Sequence, residues 1–464
     1  MLISLQQKNY HLNNKKKFIL DSDKISFDLK HRNTIKFNIS KYNNAVEKGN
    51  TQYLNIAKAK DRVSFLKREV LLNLDKYLLQ FEQKFTSNGG KVFWASDAKE
   101  ATDYIVDILE KNEVKLIVKS KSMVTEEIEI NHVLQKHNIE SVETDLGEFI
   151  VQVAGEKPYH IVTPCMHKSK EDVAELFHEK FKTPEHSSPE ELTAWVRDYL
   201  REKFVSAQAG ITGANFIVSD IGGIALTENE GNAFLTFSFP KIHIVVVGIE
   251  KVIPSINDFD IVWPLLSTHG TGQKVTAYNS IITGPRKSDE IDGPEEMHVI
   301  LLDNGRTNLF KQKDHWEALS CIRCGACLNG CPVYRTVGGY TYNTVYQGPI
   351  GSVISPYIAG FDENYHLAFA STLCRKCSEV CPVQIDLPDL LLKTRKISIE
   401  RKKYTSMEKV SISSWKNVML NPRLLSLSPS SLKNIFVPIM MKKLWGSKRK
   451  FPRFAKEAFR RSFK

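Results

Sequence analysis

No stretch of the chain approaches the run of about 18 uninterrupted apolar residues that a membrane-spanning helix needs. The opening Met-Leu-Ile-Ser-Leu-Gln-Gln-Lys-Asn lacks the basic-then-apolar order of a secretory leader, so a cytoplasmic location is expected. No G-x-G-x-x-G follows a strand-like run, so there is no flavin or NAD fingerprint. Gly270-Thr-Gly-Gln-Lys274 lacks the spacing of a phosphate loop and reads as an ordinary turn. Cysteine is scarce over most of the chain, yet seven of the eight fall between Cys321 and Cys381. In a reducing compartment that clustering argues for metal ligation rather than disulfides. The eighth, Cys165, follows Pro164 at the end of an apolar run and reads as a buried, inert thiol.

With 464 residues, the chain exceeds one ordinary core, and two or three domains are expected. An apolar fraction of 42% and a charged fraction of 25% exclude wholesale disorder. The net charge of +11 is unevenly spread: residues 401–464 hold 17 Lys and Arg against 2 Glu, which leaves residues 1–400 at −4. In that basic tail Trp415, Val418, Met419, Leu432, Ile435, Phe436 and Ile439 interleave with the cations, and Pro422, Pro429, Pro438 and Pro452 are expected to cut it into short amphipathic helices. Such a tail suits peripheral contact with the anionic inner face of a membrane, near a quinone-linked acceptor. No nucleic-acid recognition motif is present, so no nucleic-acid partner is expected.

Five segments follow from the patterning. Residues 1–54 are a Lys- and Asn-rich basic arm, expected to be loosely ordered. In the helical lead-in at 55–90, Val63, Leu66, Val70, Leu74, Leu78 and Phe81 mark one helical face. Residues 91–310 read as an α/β domain with an open mixed sheet. Strands are expected at Val92–Ala95, Val114–Val118 and His160–Thr163, and helices at Asp97–Lys111, Thr125–His137 and Pro189–Gln208. After Gly210, Phe216–Ser219, Ile224–Leu226, Ala233–Phe237, Ile242–Ile249, Val275–Ile282 and Met297–Leu302 read as strands added to the same sheet as hairpins, with little helix before residue 311. Residues 311–400 form a small helical, cysteine-rich module, and 401–464 the basic amphipathic tail.

The first cysteine motif is Cys321-Ile-Arg-Cys324-Gly-Ala-Cys327-Leu-Asn-Gly-Cys331-Pro332, the C-x2-C-x2-C-x3-C-P run of two-cluster ferredoxins. Three thiolates two residues apart wrap one iron–sulfide cube, while the fourth turns away to the other cluster. Gly325 and Ala326 let the backbone approach closely. The second motif, Cys374-Arg-Lys-Cys377-Ser-Glu-Val-Cys381-Pro382, has Ser371 where a first cysteine would stand. By the crossed rule Cys321, Cys324, Cys327 and Cys381 complete one cluster, and Cys331, Cys374 and Cys377 give three ligands to a second. Two [4Fe-4S] clusters are expected. The second would then be a cube whose fourth ligand is Ser371, His366 or solvent, with a [3Fe-4S] cluster as the alternative. Structural zinc is the competing reading, and seven cysteines in this triplet spacing fit it poorly.

Upstream of the cysteines, Lys119-Ser-Lys-Ser-Met-Val-Thr-Glu-Glu-Ile, Glu143-Thr-Asp-Leu-Gly-Glu-Phe-Ile, Gly213-Ala-Asn-Phe-Ile-Val-Ser-Asp, Asn229-Glu-Gly-Asn-Ala, Pro240-Lys-Ile-His-Ile and Asp292-Gly-Pro-Glu-Glu-Met-His-Val-Ile-Leu-Leu-Asp-Asn-Gly-Arg occur in order. With the cysteine module, residues 55–400 resemble the lactate utilization protein B family of iron–sulfur subunits. The resemblance implies a sheet similar to those of sugar isomerases and coenzyme A transferases, followed by a ferredoxin-like iron–sulfur domain. It also implies an electron-transfer role in L-lactate oxidation to pyruvate, with lactate utilization proteins A and C as partners. This chain departs from the family at Arg375-Lys376, which stand where Gly-Ala is usual, and the two charges are expected to raise the potential of the second cluster. Lys121, Asn229, Glu230, His269 and Arg286 lie near expected strand ends and are weak candidates for substrate contact; caps and turns are the competing reading. His243, in an apolar run, reads as a core histidine. Two rival functions are an α/β domain acting on a small carboxylate or coenzyme A-like ligand, and a redox- or iron-responsive scaffold.

Overall fold

Alternating apolar runs and amphipathic stretches become, in the computed structural model, ten strands β1 (Lys91–Ala95), β2 (Leu116–Lys119), β3 (Glu140–Glu143), β4 (Ala209–Thr212), β5 (Phe216–Val218), β6 (Gly223–Glu228), β7 (Ile242–Gly248), β8 (Val252–Ile253), β9 (Tyr278–Ile282) and β10 (Glu296–Leu302). The structure describes residues 14–401, 403–404, 406–421, 424, 429–445 and 450–457. Six strands form a parallel sheet in the order β1-β10-β7-β4-β2-β3. All seven residues of β7 are buried, as a central strand covered on both faces requires. Its side chains alternate between two cores. Ile244 and Val246 join Ile105, Leu109, Leu134 and Ile300 on one face, while Val245 and Val247 join Leu78, Phe81, Phe85 and Leu301 on the other. Each such side chain taken out of water is worth about 1.5–3 kcal/mol.

The expected class, an α/β sheet followed by a helical cysteine module, is what the structure holds, with several local corrections. Residues 209–302 do not all extend one sheet: β5, β6, β8 and β9 form a separate four-stranded sheet in the order β8-β5-β6-β9. Ala233–Phe237 lies in the helix Asn232–Ser238, where Ala233, Thr236 and Phe237 bury one face and Gly231, at φ 76°, opens the turn. A second helix, Phe259–Thr271, also interrupts this region and ends at Gly272. His160–Thr163 is a loop rather than a strand. The helix expected over 125–137 is two, Met123–Glu127 and Ile130–Lys136, broken where Glu129 adopts a left-handed backbone. The basic arm is ordered where it is described. Residues 14–50 form the helices Asn14–Ile25 and Leu29–Asn50, and Ile35 and Ile39 are fully buried although no strong apolar period announces them. Residues 1–13 lie outside the described residues.

The chain divides into two units, one ending at Lys396 and the other starting at Ile397. Within the first, the cysteine module shares a core with its surroundings. Ile35, Val63 and Leu265 pack in one cluster with Leu319, Leu328, Ile350 and Val353. The second unit contains the helices Ser406–Leu420 and Ser430–Trp445. Pro438 sits inside the latter, so the missing backbone donor is absorbed without the expected break, and Pro422 lies outside the described residues. Trp415, Val418, Met419, Leu432, Ile435, Phe436 and Ile439 are exposed. Among the described residues no helix is long and apolar enough to cross a membrane.

Candidate iron–sulfur centre and adjoining cavity

Cysteines separated by up to sixty positions meet in the first unit. Cys321, Cys324, Cys327 and Cys381 line one small cavity whose remaining wall includes Ile161, Ile322, Ile350, Val383, Ile385 and Leu387. The loop that carries three of them turns at Arg323 (φ 60°) and Gly325 (φ 78°), and a side chain on Gly325 would stand 3.0 Å from His160 and 3.2 Å from Val162. Backbone N–H groups already point at sulfur, Arg323 N to Cys321 Sγ at 3.4 Å and Ile385 N to Cys381 Sγ at 3.4 Å. Burial and the neighbouring Cys321 thiol push Cys324 and Cys327 upward, and burial carries Cys381 to about 11. Crowded thiols in an apolar pocket are poor thiolates on their own, and a shared cationic iron core supplies the charge that would hold them deprotonated. The donor set, the inward N–H groups and the glycine-walled loop all fit such a core.

Cys331, Cys374 and Cys377 make a second group. Burial, then the Cys331 thiol, pushes Cys377 up to about 12; burial raises Cys331 as well, with Cys374 adding to it. Cys374 is exposed and is lowered, first by the Lys376 N–H and then by Thr372. Tyr342 is buried, and burial followed by the charges of Cys331 and Cys327 raises its phenol. Ser371 Oγ accepts from Leu373 N at 3.1 Å. His366 is buried, packs edge-on against Phe18 at 5.7 Å, and keeps an Nδ1 without a hydrogen-bond partner. The two cations expected to perturb this group are neutralised at the surface, Arg375 by Asp386 at 2.7 Å and Lys376 by Glu379 at 2.9 Å.

Buried charge gathers instead beside Cys321, where no local pattern announces it. Arg306, with no exposed side-chain surface, donates to both oxygens of Glu127 at 2.9 and 3.0 Å and to Glu250 at 2.6 Å. Arg323 reaches the other Glu250 oxygen at 3.3 Å and lies over the Tyr346 ring at 4.6 Å. Tyr346 in turn donates to Glu127 at 2.6 Å. Burial alone would raise Glu250, but Arg306 and Arg323 hold it at about 2. Lys251 is also buried here and is pushed down to about 8 by burial and by Arg323.

A larger cavity of about 480 Å³ opens at the carboxyl ends of β2 and β3, and Arg323 and Cys324 form part of its wall. The order in which the parallel strands are added reverses here, β3 lying to one side of β2 and β4 to the other, the switch point at which open α/β sheets bind ligands. Lys121, Asn229 and Glu230 line this cavity together. Lys121 Nζ bonds Asp145 Oδ2 and the Val162 carbonyl, both at 3.1 Å. Glu228 and Glu230 are raised, each first by loss of water, and Glu230 also by the Asp145 charge. Behind the wall, Lys119 is wholly buried among Glu143 at 2.8 Å, Glu126 at 3.3 Å and Glu148 at 4.0 Å.

The other candidates are elsewhere. His269 is buried in the helix Phe259–Thr271 with Nδ1 on the Leu265 carbonyl at 2.9 Å, and Arg286 pairs with Glu295 at 2.9 Å on the surface. His243 is a core histidine on Thr212 Oγ1 at 2.8 Å. Cys165 lines the cavity, half-buried, and burial followed by Asp145 takes it to about 11, the behaviour of an unreactive thiol.

Two known protein families match separate stretches of the chain. Residues 78–302 match the LUD domain, and residues 317–385 match the 4Fe-4S dicluster domain, which places the cysteines in an iron–sulfur module rather than a zinc site. The chain is 47% identical to Lactate utilization protein B of Bacillus pumilus (strain SAFR-032), over 72% of this chain and 71% of that one. It is 46% identical to Lactate utilization protein B of Bacillus subtilis (strain 168), over 72% and 70%. To the "Uncharacterized electron transport protein YkgF" of Escherichia coli (strain K12) it is 43% identical, over 74% and 72%. Identity at that level across both modules means that the chain belongs to the lactate utilization protein B family.

Proposed function

We propose that this chain is the electron-transferring iron–sulfur subunit of L-lactate oxidation to pyruvate, acting with lactate utilization proteins A and C. In this reading Cys321, Cys324, Cys327 and Cys381 hold one [4Fe-4S] cluster. Cys331, Cys374 and Cys377 hold a second, either [3Fe-4S] or a cube with one non-cysteine ligand. When bound, such clusters take up and release single electrons. The chain's own residues set the conditions. Ile322, Ile350, Val383 and Ile385 keep water from the first site, and Arg323 N and Ile385 N donate to its sulfurs. The exposed Cys374 puts the second site within reach of a partner protein. The basic tail is assigned to docking on an anionic membrane face, close to a quinone-linked acceptor.

The observation that carries this reading is the meeting of Cys381 with Cys321, Cys324 and Cys327 around one cavity. Anaerobic iron and sulfide analysis with EPR tests it. About eight irons per chain and two interacting signals are expected for two cubes, or about seven with a three-iron signal in the oxidised protein. Cys327→Ser should remove the first signal and Cys374→Ser the second. Zinc without an EPR signal would end the electron-transfer reading.

A further inference from the structure

Helical spacing puts Lys60, Ser64 and Lys67 on one face of the helix Ile56–Leu72, beside the buried Val63 and Val70. That face turns to the segment around Cys381. Lys60 Nζ donates to the Glu379 carbonyl at 3.2 Å and Ser64 Oγ to that of Val383 at 3.0 Å. Lys67, with no exposed surface, donates instead to the Glu250 and Val252 carbonyls at 2.8 and 3.0 Å. Lys251 is buried close by, and both ammonium groups lie 5.9 Å from the centre of the Phe216 ring. Through its carboxylate Glu250 also holds Arg323 at 3.3 Å, and Arg323 N meets Cys321 Sγ at 3.4 Å. The charges do not balance. Arg306, Arg323, Lys67 and Lys251 meet the carboxylates Glu127 and Glu250, which leaves positive charge in excess beside Cys321. Arg323 Nη1 is buried without a hydrogen-bond partner. Burial first, then a neighbouring cation, pushes Lys67 down to about 7 and Lys251 to about 8, while the Cys321 charge works the other way. Buried cations without counter-charge are costly, so the arrangement calls for an anion. A cube held by four thiolates is one, since it carries net negative charge and gains more on reduction.

At the second cysteine group the cations are matched or turned elsewhere. Arg375 pairs with Asp386 at 2.7 Å and Lys376 with Glu379 at 2.9 Å, and the half-buried Arg395 donates to the Ala368 and Ser371 carbonyls. Water at the exposed Cys374 favours the reduced form there, but charge acts several times more strongly across a shielded interior than through water. We propose that Lys67, Lys251 and Arg323 make the first cluster the higher-potential one, so that electrons pass inward from the second cluster, at the exposed Cys374, to the first. One electron leaves the reduced second cluster, which returns to its oxidised form, and reduces the oxidised first cluster; no bond breaks and no proton is required. The inference rests on the two-cluster reading of the cysteines and gives it a direction.

The test is an EPR-monitored redox titration of the cluster-loaded full chain, with the signals assigned through Cys327→Ser and Cys374→Ser. The first cluster should be reduced at the higher potential. In Lys67→Met/Lys251→Met, the reduced-to-oxidised ratio of the first cluster at a fixed solution potential should fall roughly ten-fold or more, about 59 mV for a one-electron couple. Lys251→Met alone keeps the carbonyl partners of Lys67 and should move the same signal in the same direction. Lys251→Arg, which keeps the charge, should keep the native ratio. The second cluster's signal should stay in place in all three variants. A first cluster of lower potential than the second, a smaller fall in the double variant, or an equal shift of both clusters overturns the proposal. Iron and sulfide assays on the same samples keep the two readings apart: two clusters with the order reversed sink this inference alone, and zinc in place of iron sinks the electron-transfer reading as well.

Discussion

Replacing Lys119 by Met removes the positive charge shared by two buried carboxyl groups, Glu143 and Glu148, and the partly exposed Glu126. Lys119 Nζ lies 2.8 Å from Glu143, 3.3 Å from Glu126 and 4.0 Å from Glu148, and its side chain has no exposed surface. Burial opposes its charge, yet the carboxylates outweigh burial and raise its pKa. Taking one partner from a buried ion pair costs about 3–5 kcal/mol, because the charges left behind stay out of water. That is a large share of the 5–15 kcal/mol that typically holds a domain together. The loss must depend on pH. A lysine raised by folding contributes its full stability below its unfolded pKa of about 10.4, so the native protein's Lys119 term is flat from pH 4.5 to 8. Burial, and then the Glu143 charge, already raise Glu148 while Lys119 lowers it, so in the variant Glu148 rises further above the unfolded value of about 4.3. Stability tied to such groups is present below that value and is lost as pH rises through the raised pKa. Urea unfolding followed by circular dichroism should therefore show a small gap between native and variant at pH 4.5 and the full gap at pH 7–8. Adding Glu143→Gln should recover part of it. A gap that stays constant with pH, or one below about 1 kcal/mol at pH 8, would refute the network as described.

Three further outcomes are expected. Arg323→Gln should lower the potential of the first cluster more than Arg375→Gly/Lys376→Ala lowers that of the second, since Arg323 is 90% buried near Cys321 while Arg375 is 63% exposed and already paired; equal shifts in redox titration would contradict this. Gly325→Ala should cost about 1–2 kcal/mol for a left-handed residue with a Cβ and displace the cysteine loop, read as reduced iron content after identical reconstitution; full iron content would argue that the loop accommodates it. Deleting residues 401–464 should abolish sedimentation with vesicles containing anionic lipid and leave the cluster spectra unchanged, and retained vesicle binding would remove the tail from that role.

The cysteine spacing was the most legible feature, because ligand geometry is written in consecutive residues. Strands β7 and β10 were nearly as plain, being dominated by Val, Ile and Leu. What escaped was fixed by partners far away in the chain. Arg306 meets Glu127 across 179 positions and Arg323 meets Glu250 across 73, and no local pattern announces either. The helix Asn232–Ser238 looks like a strand because Ala-Phe-Leu-Thr-Phe is apolar but for Thr236, and only the tertiary surroundings choose which face is buried. Residues 29–50 look polar, and two isoleucines a helical turn apart suffice to seat them. Lys121, Asn229 and Glu230 could be named singly as residues near strand ends. That they share a cavity with Cys324 required the fold.

The shared core of the first unit also bears on how the chain comes into being. Ile35, Ile39 and Val63 are made well before Leu319, Leu328 and Ile350, which belong to the same core. Until those later residues are made, the leading helices must wait with apolar faces open to water and to chaperones. The segment that finally covers them is the one that carries the cysteines, so closing the core and acquiring iron belong to the same late event. A cell short of iron would then accumulate unfinished chains rather than finished but empty ones, and quality control would remove them.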